Sequence, residues 1–192
     1  MEPGFQLKCD EELLCRPPIP PEHGTYILVL CATLWHAVRI DRRGLKIVRV
    51  EPGVYAYVGS AWGAGGLRAR IYRHLGLSRK KRLHWHIDRL LASEYVTPVA
   101  VVYAPGCRGE RTAAEILSEA YDPIPGFGAS DDPVNNTHLY RLAGLEDCTP
   151  SHPCISRRLA DELVTRLNRA CSGHGAIVGL RCLQWRRAAR RE

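Results

Sequence analysis

The stretch from Tyr55 to His74 changes character twice, and that narrows what the chain can build. It opens Tyr-Ala-Tyr-Val, apolar and aromatic, as a buried strand does. Gly59, Gly63, Gly65 and Gly66 then interrupt it and mark a tight loop. From Leu67 to Leu75 the chain turns basic, and Leu67, Ile71 and Leu75 recur every four residues, so they share one side of a helix. Arg70, Arg73 and His74 lie off that apolar line. A strand that runs through glycines into an arginine-bearing helix presents cations to an anion at a sheet edge.

The chain has 192 residues, enough to bury a core in one main domain with an appendage. Its apolar content of 45% and charged content of 24% are those of a soluble globular protein. The longest apolar run, Tyr26 to Trp35, is too short to cross a bilayer, and the first residues carry acids with no hydrophobic signal core. A cytoplasmic protein without membrane association is expected. The formal net charge is +7. The lysines and arginines between Arg39 and Arg89 are opposed only by Asp41, Glu51 and Asp88, which points to a polyanionic partner, most simply nucleic acid. A merely solvated basic surface is the alternative. The eight cysteines form no Cys-x-x-Cys pair, so no zinc ribbon is signalled; free thiols are expected in a cytoplasm.

Three segments follow from composition. Residues 1–23 end in a proline-rich linker. Residues 24–143 alternate strand and helix patterns. Strands are expected at 24–33, 36–40, 45–50, 54–58, 98–104 and 137–142, with helices at 67–75, 83–92 and 110–120. Residues 144–192 form a basic extension with an amphipathic helix over 156–170, a strand near 176–185 and an arginine-rich tail. The pattern is that of a mixed α/β domain.

Gly24-Thr-Tyr26, Tyr57-Val-Gly-Ser-Ala61, Arg68-Ala-Arg-Ile-Tyr-Arg-His74, His84-Trp-His-Ile-Asp88 and Gly126-Phe-Gly-Ala-Ser-Asp131 occur in that order. Together they resemble the GIY-YIG nuclease superfamily, and within it the Uri-type branch of small prokaryotic proteins. The resemblance covers about residues 24–142. It implies a mainly antiparallel three-stranded sheet flanked by helices, here with an extra hairpin between Tyr26 and Tyr57. It also implies phosphodiester hydrolysis with one divalent cation, Mg²⁺ or Mn²⁺. By the same resemblance Tyr26 helps activate the attacking water, Tyr57 orients the site, Arg70 stabilises the phosphate charge, and His74 is the histidine one turn on. Glu110 fits the metal-binding glutamate at a helix start, with Glu115 the runner-up. Thr25 stands where isoleucine is usual, and Asp132 where the branch carries a cysteine.

This residue set suffices chemically. A tyrosine is a weak base, with a pKa of about 10 in water, and needs help from a metal or from Arg70. A hard cation prefers oxygen ligands and keeps several waters, so one carboxylate can hold it. Arg68, Arg73, Arg79, Lys80, Lys81 and Arg82 are candidate nucleic-acid contacts, with Trp85 either core or a base-stacking surface. His84, His86 and Asp88 would share one face of a strand and so form a metal site, but Leu83, Ile87, Leu90 and Leu91 argue for a helix, on which only His84 and Asp88 align. Cys148, His152, Cys154, Cys171 and His174 are a weaker zinc candidate. The expected function is a metal-dependent endonuclease acting on DNA rather than RNA, in repair or on branched substrates. The alternatives are a catalytically inactive nucleic-acid-binding module of the same fold and an interaction domain whose arginines are only surface.

Overall fold

The computed structural model describes residues 19–41, 46–76, 83–128, 135–144, 155–171 and 179–182. Its centre is β1 (Gly24–Ala32), buried at every position. β1 lies between β4 (Gly53–Ser60) and β5 (Val96–Pro105), antiparallel to both. These three strands form the middle of a wider sheet. β7 (Leu139–Ala143) pairs with β4, the short β6 (Asp122–Pro123) with β7, and β8 (Gly179–Cys182) with β5, giving the order β6-β7-β4-β1-β5-β8. Every pairing is antiparallel, so the expected class holds with more strands than the expected three. β2 (His36–Arg39) and β3 (Ile47–Val50) form the expected extra hairpin as a separate two-stranded sheet.

The two-residue period of the strands sorts side chains into two cores. From β1, Ile27, Val29 and Cys31 face one way, with Val54, Ala56 and Val58 of β4. They meet α3 (Glu110–Ser118) and α4 (Arg157–Ala170) through Ala113, Ala114, Leu117, Leu163 and Leu167. Tyr26, Leu28 and Leu30 face the other way. There they pack under α1 (Gly66–His74), α2 (His86–Leu90) and the hairpin through Leu67, Ile71, Ile87, Val38 and Val48. Burying one such aliphatic side chain stabilises the fold by about 1.5–3 kcal/mol.

Three expectations are corrected. The helix expected over 83–92 is only the five residues of α2, because Trp85 is extended at φ −99°, ψ 156° and stops it from starting earlier. The cysteines are not all thiols: Cys107 and Cys171 form a disulfide, and Cys31 is also disulfide-bonded. Cys171 is thereby removed from the zinc candidates; Cys148, His152, Cys154 and His174 lie outside the described residues. From the stretch expected to be an appended extension, α4 enters the core and β8 the sheet.

Candidate active site

β1 and β4 place the first two candidates side by side. Tyr26 pairs with Gly59, and Tyr57 sits two residues earlier on β4, so both rings leave the same face of the sheet. Their centroids are 6.5 Å apart. Gly59 makes room for this, since a Cβ there would collide with the Tyr26 ring and hydroxyl. The Tyr-Val-Gly sequence is thus a packing requirement of the tyrosine on the next strand.

The glycine loop then delivers α1. Gly65 and Gly66 take positive φ angles of 80° and 54°, and a Cβ on Gly66 would strike the carbonyls of Pro21 and Glu22. Those close neighbours anchor the helix start. Leu67 and Arg68 donate their amides to Glu22 and Pro20, and Arg68 Nε donates to Ile19 O at 2.8 Å. The anion-facing charge of this element therefore comes from its side chains and not from its N-terminal amides. α1 points Arg70 and His74 toward the tyrosines, while Leu67 and Ile71 are buried beneath them.

His74 is buried, with its Nε2 2.7 Å from the Tyr26 hydroxyl. On its other side Nδ1 lies 3.7 Å from Asp88 Oδ1. Asp88 is fully buried, and its Oδ2 accepts from Arg73 at 2.7 Å and from the amides of His84 and Trp85 at 3.1 Å each. Burial alone would raise the Asp88 carboxyl; the adjacent His74 and the hydrogen bonds from Arg73 and the two amides outweigh it and hold it well below the usual carboxylate range. Tyr26 is pushed the other way. Burial and the nearby Tyr57 raise it well above 10, and Arg70 offsets only part of this. The help expected from Arg70 is therefore present but is not the dominant influence.

Glu110 opens α3 and lies beside the same space, with Oε1 3.7 Å from Nδ1 of the buried His138. Its position is set from β1. The Thr25 hydroxyl donates to Cys107 O at 2.9 Å and accepts from the Gly109 amide at 3.1 Å. The Cys107–Cys171 disulfide then ties that turn to the end of α4.

Tyr26, Tyr57, Arg70, His74 and Glu110 all line one open cavity of about 490 Å³, which His84, Trp85, His86 and Trp62 also border. All five expected catalytic residues are thus brought together from β1, β4, α1 and α3. Glu115 is not among the lining residues. Arg73 turns to Asp88, with Nη2 2.7 Å from Oδ2, so its charge serves the site's frame. Arg68 is exposed. Trp85 is 42% exposed, not core, with the Arg70 guanidinium 4.8 Å from its ring centroid. Arg79, Lys80, Lys81, Arg82, Asp131 and Asp132 lie outside the described residues.

The His84, His86 and Asp88 metal reading does not fit: Asp88 is engaged with Arg73, and His86 Nδ1 accepts from the Gly128 amide at 2.9 Å. Among the described residues no group of three or more His, Cys, Asp or Glu side chains is arranged to hold a metal. A single hard cation suits the donor set differently. Glu110 is the one carboxylate among the described lining residues, and the cavity leaves room for the cation's waters. Sequence reasoning missed the use of Thr25, Asp88 and His138 as supports of the site; only the presence of Thr25 and Asp88 inside the motifs marked those two.

Fold and site together define a mixed α/β protein with a polar cavity at the ends of the central strands of an antiparallel sheet. The chain belongs to the family described as domain of unknown function DUF123, whose model matches residues 25–159. That match takes in all five clustered residues and the first part of α4. No curated protein and no solved structure matches the chain.

Proposed function

We propose that this protein is a divalent-metal-dependent phosphodiesterase of the GIY-YIG type, an endonuclease acting on DNA. The observation that carries the reading is the convergence of Tyr26, Tyr57, Arg70, His74 and Glu110 on one cavity. Each has a separate chemical task in phosphodiester hydrolysis. Tyr26, backed by His74, contacts the attacking water and takes part in moving its proton. Arg70 stabilises the charge that grows on the phosphoryl oxygens. Tyr57 donates a hydrogen bond that orients the phosphate. Glu110 would hold the cation, which when bound would supply Lewis-acid support to the reacting phosphodiester. The net charge of +7 favours a polyanionic substrate, and Trp85 offers an aromatic surface at the cavity rim for a base.

The test is cleavage of labelled duplex, single-stranded and branched DNA, and of RNA, in Mg²⁺, Mn²⁺ or EDTA. Metal-dependent product, greatest on one of the DNA substrates, is expected. No product on any substrate, with salt-sensitive binding intact, would replace this reading with that of a binding module. Product on RNA alone would overturn the choice of DNA.

A further inference from the structure

His74 and Asp88 are more closely arranged than hydrolysis by a lone tyrosine requires. The Asp88 carboxylate divides its two oxygens between different partners. Oδ2 takes the Arg73 guanidinium and the amides of His84 and Trp85, which joins α1 to the start of α2. Those bonds meet the structural needs of this segment, including the reach of a third-position acid back to the helix start. Oδ1 is turned to His74 Nδ1. The imidazole therefore has a carboxylate at one nitrogen and a tyrosine hydroxyl at the other.

We infer that Asp88 is a positioning residue for the proton path, holding His74 with its proton on Nδ1 so that the bare Nε2 receives the Tyr26 proton. This rests on the hydrolytic reading proposed above. A ring nitrogen facing a carboxylate is the one that keeps its hydrogen, and the other is then an acceptor. Tyr26 in turn need not exist as a buried tyrosinate, the form its burial disfavours. As water attacks phosphorus, its proton passes to Tyr26 Oη while the Tyr26 proton passes to His74 Nε2. The water oxygen forms the new P–O bond. The P–O bond to the leaving oxygen breaks, and that oxygen keeps the electron pair and takes a proton from solvent. The imidazolium, stabilised by Asp88, later returns its proton to solvent, so the net change is the addition of one water. The 3.7 Å contact is longer than a hydrogen bond in the resting site and shortens as His74 gains charge. The other groups around this path are Tyr57 of β4, with its ring centroid 6.3 Å from that of His74, Arg70 and Arg73 of α1, and Glu110 of α3 across the cavity.

The experiment has two parts. In the unmutated protein, ¹⁵N NMR of His74 at neutral pH reads the tautomer directly. A protonated Nδ1 and a bare Nε2 are expected, and a proton on Nε2 would overturn the inference whatever the protein cleaves. Asp88→Asn is then compared with wild type for kcat and KM on the best DNA substrate. A fall in kcat of about 10²–10⁴-fold with KM nearly unchanged is expected. In a His74→Ala background, Asp88→Asn should cost little more, because the two act as one unit. An Asp88→Asn enzyme with wild-type kcat would overturn the inference while leaving the hydrolytic reading in place. If the wild type cleaves nothing, the hydrolytic reading and the proton path fail together. The tautomer then shows only whether Asp88 orients His74.

Discussion

At the scale of single residues, the site depends on a few atoms that are absent as much as on those present. Gly59 carries no Cβ where the Tyr26 ring must lie. Gly59→Ala is expected to displace that ring and cost about 1–3 kcal/mol by overpacking. Thermal melts beside cleavage assays would check this, and an unchanged Tm with full activity would show that the ring has another place to go. Asp88 makes a second residue-scale prediction. Its carboxyl is held below the unfolded value of about 3.9, so its stabilising effect is present above about pH 4 and is lost as pH falls below it. The Tm of the wild type should therefore fall more steeply below about pH 4 than that of Asp88→Asn, as calorimetry across about pH 2–7 would read. The tyrosines, Arg70 and Glu110 were legible through the motifs that resemble the GIY-YIG superfamily; by pattern alone they read as strand aromatics, a helix cation and a first-turn acid. The role of Asp88 was not legible. The Leu83, Ile87, Leu90 and Leu91 pattern predicts a helix that aligns it with His84, whereas the extended Trp85 lets both neighbouring amides turn onto its carboxylate.

At the scale of elements, α3 is aimed from outside itself. Its N-terminus has no side-chain cap, and Glu110 owes its place to the preceding turn. That turn is held by the Thr25 hydroxyl and by the Cys107–Cys171 disulfide. Thr25→Val keeps the shape but leaves the buried Gly109 amide unpaired, and should cost about 1–3 kcal/mol. Cleavage should fall with it, and chemical denaturation with activity at saturating Mg²⁺ would separate the two effects. The disulfide closes a sequence separation of 64 residues, for which chain entropy gives about 4 kcal/mol. Cys171→Ser should lower unfolding stability by about that amount, read from urea denaturation. Neither restraint follows from local pattern. Periodicity places α3, yet a bond between Cys107 and Cys171 depends on how α4 lies over the sheet.

At the scale of the whole molecule, elements from both faces of the sheet meet at the site, since Glu110 comes from α3 and the other four candidates from β1, β4 and α1. α3 and α4 cover one face, and α1, α2 and the hairpin cover the other, with the cavity where the first strand starts and the fourth ends. The central three strands were legible as apolar runs, and the extra hairpin from alternation. Of the outer strands, β7 and β8 fall where strands were expected, near 137–142 and 176–185, while β6, only two residues long, carries no pattern to read. The net charge of +7 belongs to this scale. Binding to DNA should weaken with salt, with a log–log slope of about −0.9 per phosphate contacted, and a flat salt dependence would leave the arginines as surface only. The most direct measurement of the proposed site pairs cleavage with binding for Glu110→Ala beside the wild type. Expected is loss of Mg²⁺-dependent cleavage with DNA affinity largely kept. A Glu110→Ala protein that cuts at the wild-type rate would remove Glu110 from the chemistry and with it the proposed cation site.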